Sequence, residues 1–392
     1  MAGDPNLLGP NIERLAREGV YCSRVYTSYP VCCPSRAAML TGKVPHAAGV
    51  TGNHQLLPLE QSTMSAAMKA AGYRTGYIGK WHLDGAENPG FVPRERRRGF
   101  DDWSAFNVAH RHYDWVYFRD DPIPVRVSGF EADTQTDLAL DFIRKDKGRP
   151  FYLCLSILPP HAPLTPPARH DTFQPAALRL RPNVPKQHEA AARRALAGYY
   201  GLCAAADQNL GRLLDELDAI GLAKDTIVVF TSDHGQMLWS HGVDEINLPF
   251  EESARIPFIV RYPRLIRAGA TYDGLISNID FAPTLMALCG IPALKGMHGS
   301  NQARRLTGVA APAAGSIYSE GALRQLNEWR MVVQGRYKLV VDASNRPTYL
   351  FDLAGDAYEQ ENLAGQRGSA AITEQLQAIR RRWALRTADR AG

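Results

Sequence analysis

The sequence predicts a mainly parallel α/β sheet flanked by helices, followed by a small C-terminal antiparallel α+β unit. Three observations carry this reading. Apolar runs of strand length recur at residues 73–78, 151–158 and 227–231. Helical patterns lie between them, and alternation of strand and helix is the mark of a parallel sheet with covered faces. The pattern then changes near residue 312 to closely spaced strands with a tight turn, so the chain divides into a catalytic-sized unit over 1–312 and a smaller one over 313–392.

Residues 11–18 read as a short helix, with Pro10 at its entrance, Ile12, Leu15 and Ala16 on one face, and Gly19 as its stop. Residues 20–27 are extended and lead into Val31-Cys32-Cys33-Pro34-Ser35-Arg36. Pro34 suits the first turn of a helix, where its missing N–H costs nothing. Cys32 then lies just before that helix, where the dipole and free N–H groups favour an anion. Arg36 adds a fixed charge with planar donors suited to an oxyanion. A buried thiol before an ordinary helix is the plainer reading of Cys32 taken alone.

Residues 62–71 read as a helix with Met64, Ala67, Met68 and Ala71 on one side, closed by Gly72. Each of the three apolar runs is followed at once by polar chemistry: Gly79-Lys80-Trp81-His82, then Pro159-Pro160-His161-Ala162-Pro163, then Ser232-Asp233-His234-Gly235. In an open α/β sheet ligands sit beyond the carboxyl ends of the strands. Lys80, His82, His161, Asp233 and His234 therefore meet at one edge. The clearest helix carries Leu202, Ala206, Leu210, Leu213, Leu214, Leu217 and Ile220 and ends at Gly221. The stretch 85–127, rich in Arg, Asp and aromatics, reads either as a substrate-facing insertion or as a solvated loop with aromatic anchors. Residues 163–185 are Pro-rich and read as an extended surface connection. Asp280 caps a helix over 281–289, and 292–312 reads as a linker rich in Gly and Ala. Met331-Val332-Val333, Gly335 and Tyr337-Lys338-Leu339-Val340-Val341 form a hairpin, Tyr349-Leu350-Phe351 a further strand, and Ile372, Leu376, Ile379 and Trp383 the face of a last helix.

Composition is that of a globular protein, with 45% hydrophobic and 22% charged residues among 392. A formal charge of +5 is too small to argue for nucleic acid, though it leaves room for a local basic site for an anionic substrate. No apolar run reaches the length of a membrane span. Six cysteines are scattered without metal-ligand spacing or a dense disulfide framework. A reducing, cytoplasmic compartment is therefore the default expectation, with export left open by the N-terminus.

The string from Cys32 to Gly42 resembles the signature of the sulfatase family, C-x-P-S-R-x-x-x-L-T-G, at every fixed position. Gly79-Lys80-Trp81-His82-Leu83 resembles the family's G-K-W-H-L-G, departing at Asp84. Pro160-His161-Ala162-Pro163 resembles P-H-x-P, and Ser232-Asp233-His234-Gly235 matches S-D-H-G. Phe250-Glu251-Glu252 through Arg255-Ile256-Pro257 resembles Y-E-E-x-x-R-V-P. Leu350-Phe351-Asp352-Leu353 with Asp356, Glu359, Asn362 and Leu363 resembles a C-terminal pattern of the same family. The resemblance covers nearly the whole chain in order.

It implies an alkaline-phosphatase/sulfatase-like fold and hydrolysis of sulfate esters. Cys32, and not its neighbour Cys33, would be oxidised to formylglycine by a formylglycine-generating enzyme, and the hydrate would attack sulfur. The resemblance puts Lys80 and His82 on the sulfate and leaving oxygens, with His82 or a nearby group protonating the leaving alcohol. It puts Arg36 and His161 on the sulfuryl oxygens. Asp233 and His234, with the residue made from Cys32, would hold a divalent cation, calcium by expectation and magnesium as the alternative. The substrate would be a small-molecule or saccharide sulfate ester. Two other readings stand beside it: a phosphonate or phosphodiester hydrolase of the same superfamily, and a non-catalytic anion-binding protein.

The sequence departs from the family twice. Members begin with an apolar strand ending in an Asp-Asp pair that supplies two more metal carboxylates. Here Asn11-Ile12-Glu13-Arg14-Leu15-Ala16 already matches the helix downstream of that pair, and Asp4 is a single carboxylate. An N-terminally short chain with impaired metal binding is the expectation, and an absent interior strand would leave neighbouring backbone groups unpaired. The second departure is at Asp244-Glu245-Ile246-Asn247-Leu248-Pro249, which lacks the Lys that many members carry before Y-E-E.

Overall fold

The computed structural model describes residues 4–6, 9–311 and 315–389. The unit boundary expected at 312–313 lies outside the described residues. In chain order the strands are β1 (Val20–Tyr26), β2 (Arg74–Lys80), β3 (Asp102–Phe106), β4 (Trp115–Tyr117), β5 (Val125–Val127), β6 (Phe151–Ser156), β7 (Val228–Thr231), β8 (Phe258–Arg261), β9 (Ala270–Ser277), β10 (Ser316–Gly321), β11 (Trp329–Gln334), β12 (Tyr337–Asp342) and β13 (Pro347–Asp352).

The α/β unit carries two blocks of sheet. One has the order β3-β2-β6 and is parallel throughout. The other has the order β7-β8-β1-β9, with β1 parallel to β9 and β8 reversed against both of its neighbours. The expected mainly parallel sheet with helices around it is present, with β8, β9 and, from within the stretch 85–127, β3 added to the strands legible in the sequence. β6 and β7 face each other across the break and run the same way, because Ser156 at the end of β6 and Asp233 just beyond β7 both meet Arg36.

Among the described residues, β6 pairs only with β2 and β7 only with β8. Between them lies a cavity of about 1740 Å³, walled by Leu153, Leu155, Val229 and Phe230 and by helix residues such as Met39, Leu213 and Leu217. Both strands are apolar, yet neither is more than partly buried anywhere along its length. Each of these two strands thus keeps one edge without a partner strand among the described residues.

The helices follow from local chemistry. Helix Cys32–Thr41 begins at Cys32 itself, one residue earlier than Pro34 suggests, after an extended Val31. It ends because Gly42 takes the left-handed conformation at φ 65°. Its small residues Cys33, Ala37 and Ala38 are fully buried, which lets it lie between layers. Helix Pro10–Glu18 has no cap of its own. The buried carboxylate of Asp207 accepts from the backbone N–H groups of Asn11 and Ile12, satisfying its open end. Helix Glu189–Ala219 extends well before the apolar stripe that announces it.

Three readings needed adjustment. Asp280 does not cap helix Phe281–Leu288 through its side chain; its buried carboxylate accepts from Ser277 and Ser300 backbone N–H groups instead, and burial pushes it up to about 6. The stretch 292–312 contains a short helix, Ala303–Leu306. The small unit is a four-stranded antiparallel sheet, β10-β11-β12-β13, so the sequence pattern missed its first strand. The expected hairpin is there, turning at Gly335, with the last helix packed on the sheet through Leu376 and Ile379. Lys338 on β12 is fully buried, with Nζ 2.7 Å from Glu251 and 2.6 Å from Glu359, and fastens this sheet to the α/β unit. No described helix is long and apolar enough to cross a membrane.

Candidate active site

The carboxyl ends of β2, β6 and β7 converge on the first turn of helix Cys32–Thr41. Cys32 is buried there, and its Sγ marks the place where the oxygens of a converted residue would stand. His234 Nε2 lies 3.2 Å from Sγ, and Lys80 Nζ lies 3.7 Å from it. His234 is fixed from behind, since Nδ1 donates to the Gly235 carbonyl at 2.8 Å, which leaves Nε2 for the thiol. Burial opposes ionisation of Cys32, but the charges of His234 and Lys80 outweigh it and hold the thiol well below its ordinary value. Cys33, one residue on, responds to burial alone in the main and is pushed up to about 12. The surroundings thus push the two adjacent thiols in opposite directions.

Arg36 is the centre of the scaffold. Its Nε and Nη2 reach one oxygen of Asp233 at 3.1 and 3.0 Å, and its Nη1 donates to the Lys80 carbonyl and to Ser156 Oγ, both at 2.7 Å. One guanidinium therefore ties β2, β6 and the loop after β7 to a single point. Most of its donors are taken up by the protein, so its first task is to organise the site rather than to bind a sulfuryl group. Asp233 is held below the usual carboxylate range: burial works against this, and His234 and Arg36 overcome it. Ser35 Oγ donates to the Asp233 carbonyl at 2.6 Å and also meets Asn278, which locks the loop.

Lys80 is placed by Gly79, whose φ of 101° is open only to glycine; a Cβ there would stand 2.2 Å from the Ser156 carbonyl oxygen. Burial pushes the Lys80 ammonium below its ordinary value. His82 is 1% exposed and sits at φ 57°; its ring interacts with the Cys32 sulfur, and neither nitrogen makes a close hydrogen bond among the described residues. Burial keeps it below its ordinary value. A buried imidazole with both nitrogens open is the kind of group a ligand completes. His161 bonds its Nδ1 to the Ala162 carbonyl at 2.5 Å, and its ring interacts with the Cys32 sulfur.

The seven residues singled out from the sequence, Cys32, Arg36, Lys80, His82, His161, Asp233 and His234, thus come to one place. Sequence reasoning missed an eighth. His110, from the loop after β3, has Nε2 3.5 Å from Lys80 Nζ and its ring parallel to that of His161, centroids 4.5 Å apart. Only the uneven composition of 85–127 pointed toward it.

Cys32, Asp233 and His234 lie close enough to share a metal ion. Calcium takes 6–8 oxygen ligands, mostly carboxylate. This trio offers one carboxylate, with one oxygen held by Arg36 and the other by the His234 N–H at 3.1 Å. Among the described residues it does not fit a hard cation by itself.

Comparison with known proteins accounts for this geometry. The sulfatase family model matches residues 2–291, and the model described as N-sulphoglucosamine sulphohydrolase, C-terminal, matches 240–384. An ulvan-active sulfatase of Formosa agariphila is 34% identical over 96% of this chain and 76% of its own length. An N-acetylglucosamine-6-O-sulfatase of Bacteroides thetaiotaomicron is 28% identical over 74% of this chain, and the match spans 65% of that enzyme. The solved structure of the sulfatase yidJ from Bacteroides fragilis superposes with a TM-score of 0.92 at 27% identity, covering 100% of this chain and 93% of that one. With a family model spanning most of its length and the family's motifs gathered at one sheet edge, the chain belongs to the sulfatase family.

Proposed function

We propose that the chain hydrolyses sulfate esters of saccharides, with Cys32 converted to formylglycine as the nucleophile. The observation that carries this is the placement of Cys32, buried with its Sγ 3.2 Å from His234 Nε2 and 3.7 Å from Lys80 Nζ, while Cys33 beside it turns its Sγ to the Gln55 carbonyl. Converted, the residue supplies a hydrated aldehyde: one hydroxyl forms the bond to sulfur as the ester oxygen leaves, and the other later expels sulfate as the carbonyl is restored. Lys80 and His161 face the sulfuryl oxygens and stabilise the charge that builds on them. Arg36 holds their supports in register. His82 stands at the leaving oxygen, and it or the neighbouring Lys80 hands a proton to the departing alcohol. Asp233, His234 and the converted Cys32 form part of a divalent cation's ligand set, with calcium as the expected ion.

The saccharide class rests on relatives named for ulvan and for N-acetylglucosamine 6-O-sulfate, and on a neighbour solved with D-glucosamine-2-N,6-O-disulfate at TM-score 0.88 and 25% identity. The fold does not separate sulfate from phosphonate esters, because a phosphonate monoester hydrolase of Silicibacter pomeroyi shares it at TM-score 0.83 and 21% identity. The test is to express the chain with a formylglycine-generating enzyme and assay an aryl sulfate, a sulfated monosaccharide and an aryl phosphodiester in parallel. Turnover of sulfate esters that is lost in Cys32→Ala supports the reading. Turnover of the phosphodiester alone overturns it. Binding of sulfate without turnover of any ester favours an anion-binding protein.

A further inference from the structure

The segment between β3 and β4 is built to deliver one side chain. Asn107, 1% exposed, begins it and is knotted to the end of β2: its Nδ2 donates to the Asp84 and Gly85 carbonyls at 3.1 and 3.0 Å, and its carbonyl accepts from the His82 N–H at 2.8 Å. His112, 2% exposed, ends it; its Nε2 donates to the His161 carbonyl at 2.9 Å while Nδ1 faces the buried carboxyl of Glu131 at 3.3 Å. Between these two anchors His110 stands at the rim of the site. One face of its ring covers His161 with an interplanar angle of 2°. Its edge meets Lys80, and the rest of the residue is exposed.

With Lys80 charged, the chemistry of this contact has one solution. An ammonium has three donors and no acceptor, so the nitrogen 3.5 Å from Lys80 Nζ has to offer a lone pair. That assigns Nε2 as acceptor and places the ring proton on Nδ1. Two stacked imidazolium rings beside a lysine would repel, and burial, Lys80 and His161 together push His110 down to about 4.

We propose that His110 is a positioning and substrate-recognition residue of this site: it accepts a hydrogen bond from Lys80, so aiming the ammonium, and offers its uncovered face to the sugar ring of a pyranose sulfate. The proposal rests on the site being an ester-sulfate site, as argued above. The stack on His161 makes the two rings one flat wall beside the sulfuryl position, and a flat wall at the rim suits a cyclic alcohol better than an open-chain one.

Two variants separate the parts of the proposal. His110→Ala removes both the acceptor and the wall, whereas His110→Gln keeps an amide acceptor and loses the flat ring. The probes are inorganic sulfate, N-acetylglucosamine 6-sulfate and ethyl sulfate, with affinities measured by calorimetry on the whole chain. With the hydrogen bond to the charged Lys80 lost, His110→Ala should weaken sulfate binding about tenfold or more. His110→Gln should restore most of that affinity. In both variants the preference for the pyranose sulfate over ethyl sulfate should collapse. Affinities within twofold of wild type in His110→Ala overturn the proposal. So does an equal loss on all three probes without rescue by His110→Gln, which marks a merely structural residue, and so does a wild-type chain that binds none of them. A chain that binds the probes with the expected pattern but hydrolyses no ester refutes the functional reading while leaving this one standing. If His110→Ala does not fold, His110→Gln and His110→Asn carry the comparison.

Discussion

Replacing Lys338 with Met should destabilise the protein strongly and in a pH-dependent way. The Lys338 ammonium is fully buried, 2.6 Å from Glu359, 2.7 Å from Glu251 and 3.0 Å from the Pro249 carbonyl. Glu251 keeps other partners in Arg255 at 3.7 Å and Tyr26 Oη at 3.2 Å. Glu359 has a fully buried side chain and otherwise only the Glu251 N–H at 2.6 Å, so the cost falls mainly on it. Removing one partner of a buried pair costs about 3–5 kcal/mol, because the other charge is left uncompensated. Met fills similar space, so little of the loss is packing. At 2–4 °C per kcal/mol, a fall in melting temperature of about 10 °C is expected.

The pH dependence fixes the cause. Burial, offset in part by Lys338, raises the Glu359 carboxyl to about 7, above its ordinary 4.5. A raised folded value means that the contribution is favourable below the unfolded value and is lost as pH rises through the folded one. Without Lys338 the folded value moves higher still. The deficit of Lys338→Met should therefore be largest at pH 7.5 and shrink toward pH 5, and Lys338→Met/Glu359→Gln should recover most of it. Differential scanning fluorimetry at the two pH values measures this. A deficit that is the same at both, or a double variant no better than the single, refutes the argument from buried charge.

Coexpressed with a formylglycine-generating enzyme, the peptide spanning Val31 to Arg36 should carry the aldehyde at Cys32 and an intact thiol at Cys33, as peptide mass spectrometry would read; the reverse assignment would break the spacing argument. Gly79→Ala should cost about 1–3 kcal/mol or more in stability, since a Cβ would meet the Ser156 carbonyl at 2.2 Å and force a left-handed strand residue; a melting temperature equal to wild type counts against the strained placement of Lys80. Calcium should bind weakly, at about 10⁻³ M or worse, because the described trio offers a single carboxylate. Micromolar binding by calorimetry would mean that other groups complete the ligand set.

Much of the site was legible because each element announces itself locally. An apolar run that stops at Lys80, Asp233 or the Pro-His-Ala-Pro turn is a strand end, and strand ends of a parallel sheet share one edge. What escaped was set by partners distant in sequence. β10 reads Ser-Ile-Tyr-Ser-Glu-Gly, which carries no apolar run, and its buried Glu320 is met chiefly by the distant His46, through Nδ1 at 2.7 Å and the backbone N–H at 3.0 Å. Arg36 reads in the sequence as a charge for an oxyanion, and its bonds to Asp233, Lys80 and Ser156 depend on three other segments. His110 has no motif around it; only the anchors Asn107 and His112 give it a fixed place.

The break in the sheet runs directly beneath the reacting groups. Lys80 and Ser156 belong to one bank, Asp233 and His234 to the other, and no backbone ladder joins the banks among the described residues. What spans the seam is Arg36, with helix Cys32–Thr41 behind it. Mechanically, a single guanidinium acts as the clamp that sets the spacing between Lys80 and His234, and rigid transmission through strand pairing is missing where it would matter most. The distance between those two groups is therefore the quantity in this molecule most sensitive to whatever occupies the cavity between β6 and β7. An extended segment pairing with both edges would stiffen the site from below without touching a single catalytic side chain.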